Sequence, residues 1–199
     1  MAEEQLFENP RLYFDFTKRY SLPNAHASFI QTVAISPDNS QIISGSGDWN
    51  LKFWDIETRT LQHTIKHAHQ DWIYVITFTP DGVNFVTASA DCSIKIWNYA
   101  SRTLVHTFEK AHKCTIFSLV IAPNNETMIS TGADWCMKFW NLNSKQLFHT
   151  IHEAHSSYIM SLAMTPDGLL IASGDGEGSV KLWDATQKYE LSFFRKVHR

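Results

Sequence analysis

The sequence is poor in cysteine, in net charge and in long apolar runs, and each shortage excludes a class of protein. The three cysteines, Cys92, Cys114 and Cys136, are odd in number and follow one another at intervals of 22 residues, which is not the short spacing of metal ligands. We therefore expect free thiols in a reducing compartment and no metal or cofactor. A formal net charge of −3 does not predict a broad phosphate-binding surface, so we expect neither nucleic acid nor a membrane as the partner.

No apolar stretch approaches the ~20 residues that a helix needs to span a bilayer. The first four residues, Met-Ala-Glu-Glu, are acidic and lack the basic flank and apolar run of a secretory signal. We therefore expect a soluble protein of the cytoplasm, with the nucleus as the alternative.

What the sequence has instead is repetition. Three landmarks recur every 43 residues: a histidine (His26, His69, His112, His155, His198), a proline (Pro37, Pro80, Pro123, Pro166) and a tryptophan (Trp54, Trp97, Trp140, Trp183). They divide the chain into four units without insertions, 25–67, 68–110, 111–153 and 154–196, and residues 197–199 are in register for the start of a fifth. A period of roughly 40–45 residues with a terminal Trp-Asp pair predicts a propeller array.

Each unit reads as four short strands. The first is a six-residue apolar run such as Ile30–Ile35, which is typical of strands buried on both faces, and a Pro-Asp or Pro-Asn turn follows it. The third strand alternates towards the landmark tryptophan, and no 10-residue helical period appears. The sequence therefore predicts an all-β fold of four-stranded antiparallel blades.

At these residues the chain resembles the WD40-repeat family over about 25–199. In that family a His before the first strand, a Ser or Thr in the second, an acidic residue in the second turn and the third-strand Trp form one hydrogen-bonded network. The resemblance implies four such sets here: His26/Ser44/Asp48/Trp54, His69/Thr87/Asp91/Trp97, His112/Ser130/Asp134/Trp140 and His155/Ser173/Glu177/Trp183. It also implies a non-catalytic scaffold for protein–protein interaction, which binds a peptide or a subunit.

Several residue groups invite a chemical interpretation. Each His–Ser–Asp set could be taken for a hydrolase triad, but four copies at a fixed period favour a structural role, and we predict no catalytic residue. The cluster His149, His152 and His155 could suggest a metal, although two of the three are repeat positions. The segment Phe194-Arg195-Lys196 resembles part of a phosphoinositide motif, so a lipid-binding propeller is an alternative, as is a propeller associated with an enzyme.

The positions that vary between units are more informative about a partner. The residues three and five places after each landmark His, and those directly after the network carboxylate, are unusually rich in aromatic side chains and Met, which are enriched at protein interfaces. These residues predict a partner-binding surface on the face that carries the histidines: Phe29, Trp49, Trp72, Tyr74, Phe117, Trp135, Tyr158 and Met160. The alternative is that the same rings pack between neighbouring blades.

Four blades are fewer than the seven that the family usually closes into a ring, so we expect a partial ring. Within the N-terminal segment 1–24, residues 12–16 (Leu-Tyr-Phe-Asp-Phe) read as an isolated strand of the kind that completes the last blade. A partial ring would expose an apolar face at each end. We therefore expect further blades or a second chain to complete it.

Overall fold

The computed structural model describes residues 21–22 and 24–194, which contain sixteen β-strands. Within this part of the chain no helix is long and apolar enough to cross a membrane. The predicted strand at 12–16, the start of a fifth repeat at 197–199 and most of the Phe194-Arg195-Lys196 segment lie outside the described residues.

The strands form four antiparallel sheets, each ordered as in the sequence. The first sheet comprises β1 (Ile30–Ile35), β2 (Gln41–Ser46), β3 (Leu51–Asp55) and β4 (Leu61–Ile65). The second comprises β5 (Ile73–Phe78), β6 (Asn84–Ser89), β7 (Ile94–Asn98) and β8 (Leu104–Phe108). The third comprises β9 (Ile116–Ile121), β10 (Thr127–Gly132), β11 (Met137–Asn141) and β12 (Gln146–Ile151). The fourth comprises β13 (Ile159–Met164), β14 (Leu170–Asp175), β15 (Val180–Asp184) and β16 (Tyr189–Phe194).

The turn between the first and second strands depends on two local features. In the first sheet, the Asp38 carboxylate accepts hydrogen bonds from the amide and the hydroxyl of Ser40, at 3.0 and 2.8 Å. The residue that follows the Asp or Asn has a left-handed backbone, which Asn and Gly adopt at little cost: Asn39, Gly82, Asn125 and Gly168. The Pro-Asp pattern in the sequence thus closes the tight hairpin.

Two β-bulges recur in every sheet. In the pair formed by the first and second strands, the register shifts around one residue near the start of the first strand: Gln31, Tyr74, Phe117 and Met160. In the pair formed by the third and fourth strands, it shifts around one residue of the outer strand: Gln62, Val105, Phe148 and Leu191. A bulge re-aims the side chain of the extra residue. The first set of bulges therefore sets the direction of residues five places after each landmark histidine.

The hydrophobic core lies between sheets. The first strands of successive sheets are neighbours, and one buried cluster fills each of the three junctions. In the first junction, Phe53 of the first sheet packs edge-on against Phe85 of the second, with ring centroids 5.8 Å apart, and both side chains are fully buried. Each sheet therefore depends on its neighbours for most of its apolar burial.

The four sheets do not close into a ring, as the sequence predicted. Val33 on the outward face of the first sheet is 62% exposed, whereas Ile76, its equivalent in the second sheet, is 7% exposed. At the other end, Ala172, Val180 and Leu182 are only half-buried, although their equivalents in the first three sheets are buried. The arc thus presents an open apolar face at each end.

Gly132 marks a close approach of two backbones in the third sheet. A methyl group added there would overlap the carbonyl oxygen of Thr115, whereas one added at Gly174 in the fourth sheet would meet nothing closer than 4.0 Å. We expect Gly132→Ala to lower the free energy of unfolding by about 1–3 kcal/mol because the backbone has to move. Gly174→Ala is the matched control and should be neutral or stabilising by less than about 1 kcal/mol. Urea unfolding of both variants tests this, and equal midpoints would contradict it.

Candidate functional site

The loops that precede the first strands and the turns that follow the second strands meet at one end of the arc, which we call the His-bearing end. Within the first sheet, the Gly47 amide donates to the Phe29 carbonyl at 2.9 Å. Between sheets, the turn of one unit contacts the loop of the next, as when the Ala154 amide donates to the Trp135 carbonyl at 2.9 Å. Backbone hydrogen bonds therefore tie this end together from one sheet to the next.

The second unit shows the arrangement of a landmark set. His69 Nδ1 lies 2.9 Å from an Asp91 carboxylate oxygen, and His69 Nε2 lies 2.7 Å from the Thr87 hydroxyl. Trp97 Nε1 donates to the same hydroxyl at 2.9 Å. His69 and Thr87 are completely buried, and Trp97 is almost so. The four side chains thus form a relay that runs from the turn to the third strand.

The hydrogen-bonding capacities of these groups fix where the protons lie. An indole N–H can only donate, so the Thr87 oxygen accepts from it. The ionised Asp91 carboxylate can only accept, so the one proton of a neutral imidazole lies on Nδ1, and the Thr87 hydroxyl proton is directed at Nε2. Nε2 is therefore an acceptor, and the imidazole carries its proton on Nδ1, which donates to Asp91. Burial lowers the pKa of His69, in keeping with this neutral tautomer.

The structure brings together the predicted residues in the first and third units as well. His26 lies 2.9 Å from Asp48 and 2.7 Å from Ser44, and Trp54 donates to Ser44 at 2.8 Å. In the third unit the corresponding distances are 2.8 Å for His112–Asp134, 2.7 Å for His112–Ser130 and 2.9 Å for Trp140–Ser130. Trp54 is the least buried of the landmark indoles, because among residues 24–194 no further sheet covers the outward face of the first sheet.

The fourth unit differs from the prediction, because Asp175 and not Glu177 completes the relay. His155 Nδ1 lies 2.9 Å from Asp175 and Nε2 lies 2.7 Å from Ser173, to which Trp183 donates at 2.7 Å. Asp175 occupies the place of Ser46 and Ser89, two residues before the usual carboxylate. Glu177 is exposed and lies 3.5 Å from the Ser156 hydroxyl. An acidic residue two places earlier in Gly-Asp-Gly-Glu-Gly was the signal that could have revealed this.

A lysine two residues before each landmark tryptophan also belongs to the first three sets, and it was missed from the sequence. Lys52 Nζ donates to the Ala25 carbonyl at 2.5 Å, Lys95 to Ala68 at 2.7 Å and Lys138 to Ala111 at 2.5 Å. Each bond ties the third strand to the loop that holds the histidine. The recurrence of this lysine at the fixed interval was the available signal. In the fourth unit, Lys181 donates instead to Glu190 at 2.8 Å.

The electrostatics of the relay favour an ionised carboxylate beside a neutral imidazole. Burial raises the pKa of Asp134, but hydrogen bonds from His112 and from the amides of Lys113 and Cys136 outweigh burial and lower it to about 2. Burial lowers the pKa of His112 more than Asp134 raises it. The same directions hold in the other three units.

The relay is built for structure and not for nucleophilic attack. The Ser and Thr hydroxyls are buried, and each already accepts from an indole and faces an imidazole nitrogen. A serine nucleophile has to be exposed beside an oxyanion pocket. The histidines of the suggested metal cluster also have separate surroundings: His149 packs on Phe139 at a centroid distance of 5.6 Å, His152 lies 3.8 Å from Cys136 Sγ, and His155 belongs to its relay.

Four of the eight predicted partner-binding residues form a continuous row of rings across three sheets. Ring centroids are 6.4 Å apart for Phe29 and Trp72, 6.3 Å for Trp72 and Tyr74, and 5.3 Å for Tyr74 and Phe117. Trp72 reaches the first sheet because Gly47 has no side chain: an added methyl group would lie 3.2 Å from the indole. We call Phe29, Trp72, Tyr74 and Phe117 the aromatic row.

Some rings of the aromatic row pack between sheets and others are exposed to a partner, so both interpretations of these residues apply to part of the row. Tyr74 and Phe117 are half-buried, and Tyr74 packs against the core between the second and third sheets. Phe29 is 73% exposed, and Trp72 is also exposed. The row thus has a packed half and an open half. Tyr158 and Met160 are exposed on the fourth sheet, and within the described residues Tyr158 makes no ring contact with the row.

Trp49 and Trp135 hold exposed indoles on an unfavourable backbone. Their φ angles are 69° and 62°, in the left-handed region that glycine prefers, and Gly178 occupies this place in the fourth unit. A left-handed backbone costs a residue with a side chain about 1–2 kcal/mol. Trp49 lies 6.1 Å from the His67 ring of the next loop, whereas Trp135 lines a cavity between the third and fourth sheets. Cys92 has the same conformation in the second unit, with a φ of 68°, so the left-handed backbone belongs to the repeated turn.

Comparison with known proteins gives a family match over most of the chain. The family profile described as "WD domain, G-beta repeat" (WD40) matches residues 16–55, 59–98, 102–141 and 145–184. The second, third and fourth matched segments each begin just before the fourth strand of one sheet and end with the third strand of the next sheet. Each of these matches therefore spans parts of two sheets.

Two solved structures, "Structure of U3-55K" and "Crystal structure of RRP9 WD40 repeats", superpose on the chain with a TM-score of 0.77 at 22% identity. They cover 85% of this chain, which spans only 53% and 52% of their lengths. "Echinoderm microtubule-associated protein-like 4" of Mus musculus is 42% identical over 52 residues, which are 26% of this chain and 5% of that protein. At such identity the two structures show a shared fold, and the chain spans about half of their length.

The assignment of Asp175 to the fourth relay predicts unequal effects of two carboxylate substitutions. Asp175→Ala removes the acceptor of His155 and of the Ser179 amide, so it should lower the free energy of unfolding by about 1.5–3 kcal/mol. Glu177→Ala removes an exposed side chain and should stay within about 0.5 kcal/mol of wild type. Chemical unfolding of both variants measures the difference, and a larger loss for Glu177→Ala would restore the original assignment.

The relays also predict a loss of stability on acidification. The folded state lowers the pKa of the four landmark histidines, so the unfolded state binds more protons, and stability falls as the pH drops below the unfolded value of about 6.5. The pKa of Asp134 is lowered too, so its contribution is lost as the pH falls from about 3.9 towards its folded pKa of about 2. Thermal unfolding midpoints should decline between pH 7 and 5 and again below pH 4. A constant midpoint from pH 7 to 5 would exclude neutral buried histidines.

Proposed function

The chain belongs to the WD40 family, and we propose that it acts as a non-catalytic scaffold whose His-bearing end binds a peptide or another protein subunit. The observation that carries this proposal is the aromatic row, with its exposed half at Phe29 and Trp72. Large exposed rings beside a rigid base supply contact area at low entropic cost, and aromatic anchors of this kind dominate protein interfaces.

The surroundings of the row support binding without rearrangement. Relays in each sheet fix the loops in front of the first strands, and Trp72 rests on Gly47 and next to Phe29. A surface held in one conformation loses less entropy when a partner binds. The strained backbone at Trp49 and Trp135 places two further exposed indoles at the same end.

The double variant Phe29→Ala/Trp72→Ala tests the proposal, because it removes the exposed half of the row and leaves Tyr74 and Phe117 in the core. Loss of an anchor of this kind costs about 2 kcal/mol or more, so the affinity for a captured partner should fall by roughly 30-fold or more. The measurement is the dissociation constant of a purified partner that the wild-type chain captures.

The matched control is Tyr189→Ala/Leu191→Ala, which removes two exposed side chains from the outer strand β16. This control should bind the partner with wild-type affinity, and both double variants should keep the wild-type thermal unfolding midpoint. Unchanged binding by the Phe29/Trp72 variant would contradict the proposal. A large drop in its unfolding midpoint would show that the rings serve blade packing.

A further inference from the structure

The fourth unit departs from the other three at one place, and a cavity lies there. The cavity has a volume of about 450 Å³, within the usual range for ligand sites, and it opens between the third and fourth sheets at the His-bearing end. Its lining residues are Trp135, Glu153, His155, Ser156, Asp175 and Lys181, together with Phe193.

In the lining of this cavity, two residues differ from the pattern of the other units. Asp175 replaces the carboxylate that the turn supplies in the other units, so Glu177 points to solvent. Lys181 is turned towards Glu190, whereas Lys52, Lys95 and Lys138 reach the carbonyl in front of the landmark histidine. In the fourth unit the lysine ammonium therefore lines the cavity and is paired with Glu190.

The charge of the lining is negative. The Lys181 ammonium lies 2.8 Å from the Glu190 carboxylate, so its charge is already compensated. His155 is neutral at pH 7, because burial lowers its pKa, and it leaves the charge of Asp175 in place. Glu153 adds a second, exposed carboxylate. The Asp175 side chain is 1% exposed and its carboxylate already accepts from His155, so Glu153 is the carboxylate that the lining offers to a ligand.

The wall of the cavity is aromatic. Trp135 is 42% exposed and has the left-handed backbone described above, whereas the Phe193 ring on β16 already faces the Lys181 ammonium, 5.3 Å from its centroid. At the repeat positions of Trp135 and Glu153, the first junction has Trp49 and His67 and the second has Cys92 and Lys110. A carboxylate therefore occurs at this place only in the junction between the third and fourth sheets. An indole beside a carboxylate is a combination that attracts a cation.

We propose that this cavity binds the guanidinium group of an arginine side chain that a protein partner inserts between the third and fourth sheets. Guanidinium is planar, stacks on aromatic faces and donates to carboxylates in a fork, so it suits Trp135 and Glu153 better than the compact ammonium of lysine does. The proposal rests on the partner-binding function of the His-bearing end and adds the chemistry that one part of that end recognises.

The experiment uses the 199-residue chain and N-acetyl-arginine amide as the probe. The indole N–H signal of Trp135 in ¹H–¹⁵N spectra, assigned with Trp135→Phe, should shift in a saturable manner as the probe is added. N-acetyl-citrulline amide has the same shape without the charge and should bind at least about tenfold more weakly. N-acetyl-lysine amide should also bind more weakly than the arginine compound.

A pair of matched variants separates the effect of the Glu153 carboxylate on arginine binding from the effect of the overall negative charge of the chain. Glu153→Gln should weaken arginine binding by about tenfold, the effect of losing one charge-assisted hydrogen bond. Glu126→Gln removes an exposed carboxylate from a turn of the third sheet outside the cavity lining, and it should leave binding unchanged. Both substitutions are conservative, and equal unfolding midpoints would show that the fold is retained.

Any one of four results would overturn the inference. Two concern the probes: equal binding of the arginine and citrulline compounds, or tighter binding of the lysine compound. The other two are saturable binding of N-acetyl-glutamate amide at Trp135 and unchanged arginine binding by Glu153→Gln. The Phe29→Ala/Trp72→Ala variant should still bind the arginine compound with wild-type affinity, because its substitutions lie in the first and second sheets. Failure of arginine binding alone would therefore overturn this inference and leave the aromatic row as a partner surface.

Discussion

A buried indole N–H can only donate, and this constraint organises each unit of the chain. Trp97 needs an acceptor in the core, Thr87 supplies it, and the hydroxyl proton must then find the next acceptor at His69. The chain of donors ends only at a carboxylate in the turn, Asp91. Removing any member leaves a buried polar group unpaired, which is costlier than losing an ordinary surface contact. The first loop, the second strand, the turn and the third strand are thereby held by one set of bonds.

The repeat interval made much of this arrangement predictable. Three relays could be assigned because the resemblance to the WD40 family names the His, Ser or Thr, Asp and Trp, and the fixed spacing places each of them in this sequence. Position could not identify Asp175, because the distance from a turn to an imidazole depends on side-chain length and on where the chain bends. Counting residues assigns the fourth carboxylate to Glu177, whereas the shorter Asp175 reaches His155 from two residues earlier.

The sequence predicted residues for the candidate site but not the surroundings of those residues. The varied positions in the sequence pointed to Trp72 and Trp135, yet the exposure of each ring depends on how closely neighbouring sheets approach. Tyr74 is half-buried because the next sheet packs against it, whereas Trp135 lines a cavity between the third and fourth sheets. Such effects arise between units, so a pattern that describes one unit at a time does not contain them. Identical relays thus act as a constant frame in which single substitutions create different local surfaces.

The bulge in every outer strand has a consequence for association in solution. The fourth strand of a sheet has one side without a partner strand, and a straight edge of this kind is a template on which another chain can add a strand. In β8 and β12 the extra residues Val105 and Phe148 break the regular alternation of N–H and C=O groups. A bulge also increases the local twist, so two such edges cannot align over their length. The rim of the arc is therefore protected from edge-to-edge aggregation although it carries exposed apolar side chains.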